Sequence, residues 1–92
     1  MERKDITAII LKLLQEWDNR GFSPYSINCG YCDIFAEQVV EELREGEIEE
    51  TAFHANNTQH VWVYYQGKYY DSEVPFGVDD WRELPIFLRN GV

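Results

Sequence analysis

The chain has 92 residues, of which 45% are hydrophobic and 27% charged, so it is long enough for one domain, residues 1–92, and too apolar for a disordered tail. Its net charge of −9, with eight Lys and Arg residues in all, argues against direct binding to nucleic acid, whose phosphates need clustered cations, and favours partners with basic surfaces. The sequence shows neither an apolar run of membrane-spanning length nor a signal-peptide core, which predicts a cytoplasmic protein without membrane contact.

The first predicted helix begins after Asp5, a residue type that caps helix N-termini, and ends near Gly21. Apolar residues at helical spacing indicate its buried face: Ile6, Ile9, Ile10, Leu13, Leu14 and Trp17. Residues 22–27 are predicted to form a loop, because Pro24 has no N–H to donate and Ser23 and Ser26 favour local backbone hydrogen bonds.

The second predicted helix begins near Gly30, runs to about Glu45 and stops at Gly46. Its apolar face begins at Cys32 and continues through Phe35, Ala36, Val39, Val40 and Leu43. At a helix start, free N–H groups and the helix dipole favour a thiolate. The neighbouring carboxylate of Asp33 opposes that ionisation, so the thiol needs a cationic partner. The outer side of this helix carries solvated acidic residues: Glu37, Glu41, Glu42 and Glu45.

After Glu47 the pattern changes from helix to strand. Residues 48–55 and 60–65 are predicted strands joined by turn residues at 56–58, and residues 68–71 return after the two-residue connection Gln66-Gly67. This hairpin register places Tyr65 opposite Lys68, Trp62 opposite Asp71 and His60 opposite Glu73. His60 and Asp71 are then diagonal neighbours on one face, within reach of a hydrogen bond.

The C-terminal part predicts a short capped helical turn at residues 79–84, followed by three residues that the tail can bury: Ile86, Phe87 and Leu88. The predicted fold is therefore α+β, with two N-terminal helices packed on a small antiparallel sheet. The second of those helices carries Cys32 at its N-terminus.

Cys29 and Cys32 form a C-x-x-C motif, which admits three interpretations: a redox pair, half a metal site, or a nucleophile beside a second thiol. A zinc site needs two more ligands, and His54 and His60 do not have the usual spacing of a histidine ligand pair. A redox pair of the thioredoxin type follows a strand, and no predicted strand closely precedes Cys29. We therefore expect no metal and no cofactor.

The three groups that cysteine acyl-transfer chemistry needs occur in order along the chain. Cys32 is the candidate nucleophile, and His60 the candidate base, with His54 an alternative that lacks a following Trp and an acidic partner on the next strand. Either Asp71 or Glu73 has a position from which it can orient His60.

Three stretches together resemble the core motifs of transglutaminase-like proteins, which have the papain-like cysteine peptidase fold. They are residues 30–36 (GYCDIFA), 60–63 (HVWV) and 67–71 (GKYYD). The resemblance covers about half of the chain and implies a catalytic triad of Cys32, His60 and Asp71. Where papain-like peptidases have an oxyanion-hole glutamine this chain has Ser26, so we expect the Cys32 N–H to bind the oxyanion, with Asn28 a further side-chain candidate. Tyr31 and Trp62 are candidates for lining the substrate site.

The resemblance implies a small hydrolase or acyltransferase acting on an amide, isopeptide or thioester of a protein or peptide. The alternative is a catalytically idle, acidic binding or inhibitor protein on the same fold, of viral or mobile-element origin, that engages a basic protein surface.

Overall fold

Three helices precede a three-stranded antiparallel sheet in the computed structural model, which describes residues 5–53 and 58–89. The helices are α1 (Ile6–Asp18), α2 (Pro24–Gly30), α3 (Cys32–Leu43) and, after the sheet, α4 (Pro85–Arg89). The strands are β1 (Glu47–Phe53), β2 (Thr58–Tyr65) and β3 (Lys68–Tyr70), and a single 3₁₀ turn (Trp81–Glu83) leads into α4. The predicted α+β class is confirmed. In the described parts of the chain, none of the helices has the length and apolarity needed to cross a bilayer.

Helix α1 begins where the sequence predicts, because the Asp5 carboxylate accepts a hydrogen bond from the Thr7 N–H at 3.0 Å. It ends at Asp18, and Gly21 turns the chain with a φ of 91°. One face of α1 packs into the core through Ile6, Ile10, Leu13 and Trp17.

The predicted loop at residues 22–27 is wrong, because most of it belongs to α2. Ser23 accepts a hydrogen bond from the Ser26 N–H at 3.1 Å, and its own N–H donates to the Ser26 hydroxyl at 2.8 Å. This pair forms a capping box, and Pro24 occupies the first helical position, where its missing N–H costs nothing. The described part of the chain therefore has three helices before the sheet instead of two, and the helix that begins with Cys32 is the third.

Helix α3 ends at Leu43, slightly before the predicted end at Glu45. Arg44 adopts the left-handed conformation at a φ of 62°, and Gly46 follows with a φ of 97°. The chain then enters β1, the first edge strand of the sheet.

The sheet has the order β1–β2–β3, and its β2–β3 hairpin turns through Gln66 and Gly67, as predicted. Both residues have positive φ, 48° and 81°, as expected for a two-residue hairpin loop. Tyr65 pairs with Lys68 as predicted, but the ladder ends where Val63 pairs with Tyr70. The predicted pairs of Trp62 with Asp71 and of His60 with Glu73 are therefore wrong. The chain turns away instead, and the Val74 N–H donates to the Asp71 carbonyl at 3.2 Å.

Both faces of the sheet are covered, which decides where the buried polar groups can lie. On one face, Val63 and Tyr70 pack with α1, α2 and α3. On the other face, Trp62 packs with Leu84, Ile86 and Phe87 of the C-terminal segment. Leu88 is 63% exposed, so the prediction that it is buried with Ile86 and Phe87 is wrong for that residue.

Candidate active site

Cys32 is the first residue of α3 and lies beside the open part of strand β2. The residue before it, Tyr31, makes no side-chain hydrogen bond to the helix N-terminus, so the N–H groups of the first turn carry no side-chain cap. Because β3 ends opposite Val63, β2 has no β3 neighbour at Val61, and the Val61 N–H interacts with the Cys32 sulfur. Cys32 is partly exposed. Its sulfur thus lies between a helix N-terminus and an N–H of the sheet.

The surroundings of the Cys32 thiol lower its pKa. Burial by itself raises the pKa, but the His60 ring and the Val61 N–H favour the thiolate and outweigh both burial and the negative charge of Asp33. The cationic partner that the sequence requires for Cys32 is therefore the imidazole of His60.

His60 lies on β2 and is fully buried, with 0% exposure. Its Nε2 is 2.9 Å from Oδ2 of Asp71. The ring packs edge-on against Phe87, with 5.5 Å between centroids, and lies 6.0 Å from the ring of Trp62. The hydrogen bond and the two aromatic contacts hold the ring in one orientation.

Asp71 lies immediately after β3 and is itself held in place. Its Oδ1 accepts hydrogen bonds from the backbone N–H groups of Glu73 at 2.9 Å and Val74 at 3.2 Å, which leaves Oδ2 directed at His60. Burial alone lowers the pKa of His60, but Asp71 and the Cys32 sulfur raise it above its ordinary value. The carboxylate thus both orients the ring and stabilises its protonated form.

The second ring nitrogen of His60, Nδ1, is buried and makes no well-formed hydrogen bond among the described residues. When the ring is neutral, its proton lies on Nε2, because that nitrogen faces a carboxylate oxygen. Nδ1 then carries a free lone pair, and Cys32 lies close enough to influence the pKa of the ring. Contacts between a nucleophile and its base are often loose without substrate and tighten when substrate binds.

Glu73, the rival orienting carboxylate, is bound elsewhere. It forms a bidentate ion pair with the Arg89 guanidinium, at 2.8 and 2.9 Å, and accepts a hydrogen bond from the Asn28 side-chain amide at 2.9 Å. No sequence pattern predicts this network, because Arg89 is 16 residues from Glu73 and no periodicity relates the two positions.

The groups expected to bind the oxyanion are the side chain of Asn28 and the backbone N–H of Cys32. The side-chain nitrogen of Asn28 donates to Glu73, and its oxygen is buried without a hydrogen-bond partner in the described structure. Ser26 is committed to the cap of α2, where it donates to the Ser23 carbonyl at 2.9 Å. The backbone N–H of Cys32 remains at the uncapped helix start.

The two substrate-lining candidates, Tyr31 and Trp62, lie at different depths. Tyr31 is 40% exposed and packs its ring against Phe22 and Trp17. Trp62 is 4% exposed, donates to Glu49 at 3.0 Å and stacks on Trp81. Together with Cys32 it lines a narrow crevice between α3 and the sheet that has no room for a water molecule. Of these two residues, Tyr31 is therefore the one with exposed surface.

The remaining candidates lie outside this arrangement. Cys29 is exposed near the end of α2. His54 falls outside the described residues. In the described ranges, no group of three or more His, Cys, Asp and Glu side chains is arranged to hold a metal ion.

Comparison of the chain with family models, with curated proteins and with solved structures gave no match.

Proposed function

We propose that the chain is a small cysteine-dependent hydrolase or acyltransferase acting on an amide, isopeptide or thioester. The observation that carries the proposal is the 2.9 Å contact between His60 Nε2 and Asp71 Oδ2, together with the interaction of the same ring with the Cys32 thiol. A buried imidazole held by a carboxylate beside a thiol supplies the nucleophile, base and orienting group of acyl transfer. The papain-like and transglutaminase-like resemblance points to the same three residues.

Before substrate binds, His60 Nδ1 takes the thiol proton, and in the first step the Cys32 thiolate attacks the acyl carbon. Negative charge develops on the carbonyl oxygen, and the backbone N–H of Cys32 at the helix start stabilises it. The protonated His60, stabilised by Asp71, then donates its proton to the leaving group. In the second step, His60 accepts a proton from water or an amine, which attacks the thioester and releases Cys32.

The lowered pKa of Cys32 and the raised pKa of His60 support the mechanism. Both shifts favour a thiolate and imidazolium pair, in which the sulfur is already the reactive species.

The test is to trap the acyl-enzyme. The full chain is mixed with a small peptide thioester, quenched in acid and analysed by mass spectrometry, with Cys32→Ala and Cys29→Ala as a matched pair. We expect an acyl adduct on Cys32 in the wild type and in Cys29→Ala, and none in Cys32→Ala. Equal acylation of Cys29 and Cys32, or an adduct that persists in Cys32→Ala, would contradict the proposal.

A second candidate is the catalytically idle, acidic binding protein. It is favoured by an open groove of about 580 Å³ along α1 and α3, lined by Leu13, Gln38, Glu41, Glu42 and Arg44. The side chains of Glu37, Glu41 and Glu45 are exposed on the adjoining face. If reversing these three charges abolishes the biological effect while Cys32→Ala leaves it unchanged, the binding function is correct and the enzyme proposal is not.

A further inference from the structure

The C-x-x-C motif contains one residue that the proposed mechanism does not use, Cys29. It lies in the last turn of α2, and Cys32 begins α3. The two helices meet at Tyr31: its N–H donates to the Ile27 carbonyl at 2.7 Å and closes α2, and its carbonyl accepts from the Phe35 N–H at 2.9 Å and opens α3. Cys29 and Cys32 therefore lie on either side of this junction, in the last turn of α2 and the first turn of α3.

Only two residues, Gly30 and Tyr31, separate the two cysteines. A disulfide between them requires the junction to bring their Cβ atoms to about 4 Å. The junction can supply this movement, because Gly30 and Tyr31 are exposed and no atom lies within 4 Å of where a Cβ on Gly30 would be. Tyr31 has already left the helical conformation, with φ −130° and ψ 17°.

A peroxide-reactive pair requires one thiol that is activated and a second that is exposed, and Cys32 and Cys29 differ in this way. Cys32 is partly buried beside His60, which favours its thiolate, the form that attacks peroxides. Cys29 is exposed, and the hydroxyl of Tyr25 lies beside its thiol. Reductants from solvent can therefore reach a bond that includes Cys29.

We propose that Cys32 and Cys29 form a peroxide-responsive pair, in which a hydroperoxide oxidises Cys32 and Cys29 then closes a reversible Cys29–Cys32 disulfide. This inference goes beyond acyl transfer and needs only the activated thiol. While the disulfide is closed, Cys32 cannot act as a nucleophile.

The chemistry balances in two steps. The Cys32 thiolate attacks the outer oxygen of the hydroperoxide, the O–O bond breaks, and the departing alkoxide or hydroxide takes a proton from His60. This step oxidises the sulfur by two electrons to a sulfenic acid and reduces the peroxide to an alcohol or water. The Cys29 sulfur then attacks the Cys32 sulfur, the S–O bond breaks, and water leaves with the Cys29 proton. A dithiol reductant then reduces the Cys29–Cys32 disulfide back to two thiols by thiol–disulfide exchange.

The test uses hydrogen peroxide on the full reduced chain, followed by alkylation and intact-mass analysis. We expect the wild type to lose the mass of two hydrogens and to become resistant to alkylation at both cysteines, and dithiothreitol to restore both. Cys29→Ser should instead gain one or more oxygen atoms on Cys32, because no second thiol is present to form the disulfide. Cys32→Ser should leave Cys29 largely reduced over the same time.

Two results would overturn the inference: oxygen addition to Cys32 at the same rate in the wild type and in Cys29→Ser, or disulfide-linked dimers in place of the internal bond. The outcome is separable from the proposed function. If the disulfide forms and no acyl donor ever acylates Cys32, acyl transfer fails while the redox pair remains. If Cys32 is acylated and the disulfide does not form, the reverse holds.

Discussion

Both oxygens of the Asp71 carboxylate have defined partners, and one of them faces His60. Two backbone N–H groups hold Oδ1, and Oδ2 lies 2.9 Å from the ring nitrogen. Because this side chain is already held in place, little further conformational entropy is lost when it stabilises a protonated histidine. Orientation and charge stabilisation therefore come from the same residue, and its removal affects both.

Replacing Asp71 with Asn tests this dual role. We expect the rate of acyl-enzyme formation to fall by roughly 10²–10⁴-fold, because the ring loses both its tautomer and its counter-charge. We also expect a loss of about 1.5–3 kcal/mol in the free energy of unfolding, measured by urea denaturation, because a buried hydrogen bond to a charged group is weakened. Glu73→Gln is the matched control, since the carboxylate of Glu73 is hydrogen-bonded to Asn28 and Arg89. Equal rates in the two variants would contradict the assignment of Asp71.

At the scale of single residues, the sequence predicts which residues form the candidate site better than it predicts how they are arranged. The hairpin turn predicted the pair of Tyr65 and Lys68, but the same register placed Glu73 directly opposite His60. The ladder ends at Tyr70, and the turn that follows swings Asp71 toward the ring and Glu73 toward Arg89. Periodicity does not encode where a strand stops, so only the family resemblance distinguished the two carboxylates.

Among the elements, the hairpin turn and the junction of α2 and α3 both contain a glycine, but only one needs it. Gly67 has a φ of 81°, which side chains with a Cβ rarely adopt. Gly30 ends α2 with open space where a Cβ would be. The two positions therefore form a matched pair for substitution.

We expect Gly67→Ala to lower the free energy of unfolding by about 1 kcal/mol, because alanine is strained in the left-handed region. In a domain of this size, that loss corresponds to roughly 4–8 °C in melting temperature. Gly30→Ala should be neutral or slightly stabilising, because alanine is the better helix former. Thermal melts of the two variants measure the difference, and a larger loss for Gly30→Ala would show that the turn is assigned wrongly.

The link between α2, the turn after β3 and α4 predicts a pH dependence. Arg89 holds the pKa of Glu73 below its ordinary value, helped by Asn28, while burial opposes the shift. A carboxyl with a lowered pKa stabilises the fold above its unfolded pKa of about 4.3, and this contribution is lost as the pH falls through the lower, folded pKa. Stability of the wild type should therefore fall in this acidic range.

Glu73→Gln should remove that part of the acid sensitivity and cost about 1 kcal/mol at neutral pH, since Arg89 is partly exposed and solvent screens the pair. Asp79→Asn, which removes a surface ion pair with Lys68, is the control and should change neutral stability little. Urea denaturation at several pH values checks both. Superimposable curves for the two variants would contradict a stabilising role for the Glu73 pair.

The helix α2 shows why the elements were only partly predictable. Pro24 and two serines were interpreted as loop residues, and the same residues form a capping box with proline at the first helical position. A loop and a helix N-terminus both suit a proline, because neither needs its N–H. The segment is helical because Ile27 and Asn28 are buried against the core, and the sequence of so short a segment does not predict that burial.

Across the whole molecule, the coarse architecture followed from the sequence because the strongest patterns were long. Helix α1, the apolar face of α3 and the hairpin were all predicted, and they bring Cys32 and His60 together from distant parts of the chain. For the C-terminal segment, the sequence predicts only that its apolar residues are buried. In the structure it covers the second face of the sheet, and Phe87 packs on His60. Contacts of this kind depend on the packing of the complete chain.

The central claim is that His60 and Asp71 activate the Cys32 thiol, and the pH dependence of its alkylation tests this most directly. The rates at which iodoacetamide labels Cys32 and Cys29 are measured by mass spectrometry between acidic and alkaline pH. Cys29 is the more exposed thiol, so exposure alone would make it react faster. We predict that Cys32 reacts at least about tenfold faster at neutral pH, with a midpoint below the ordinary thiol pKa of about 8.5. Slow and equal labelling of both thiols, with a midpoint at that ordinary value, would contradict the claim.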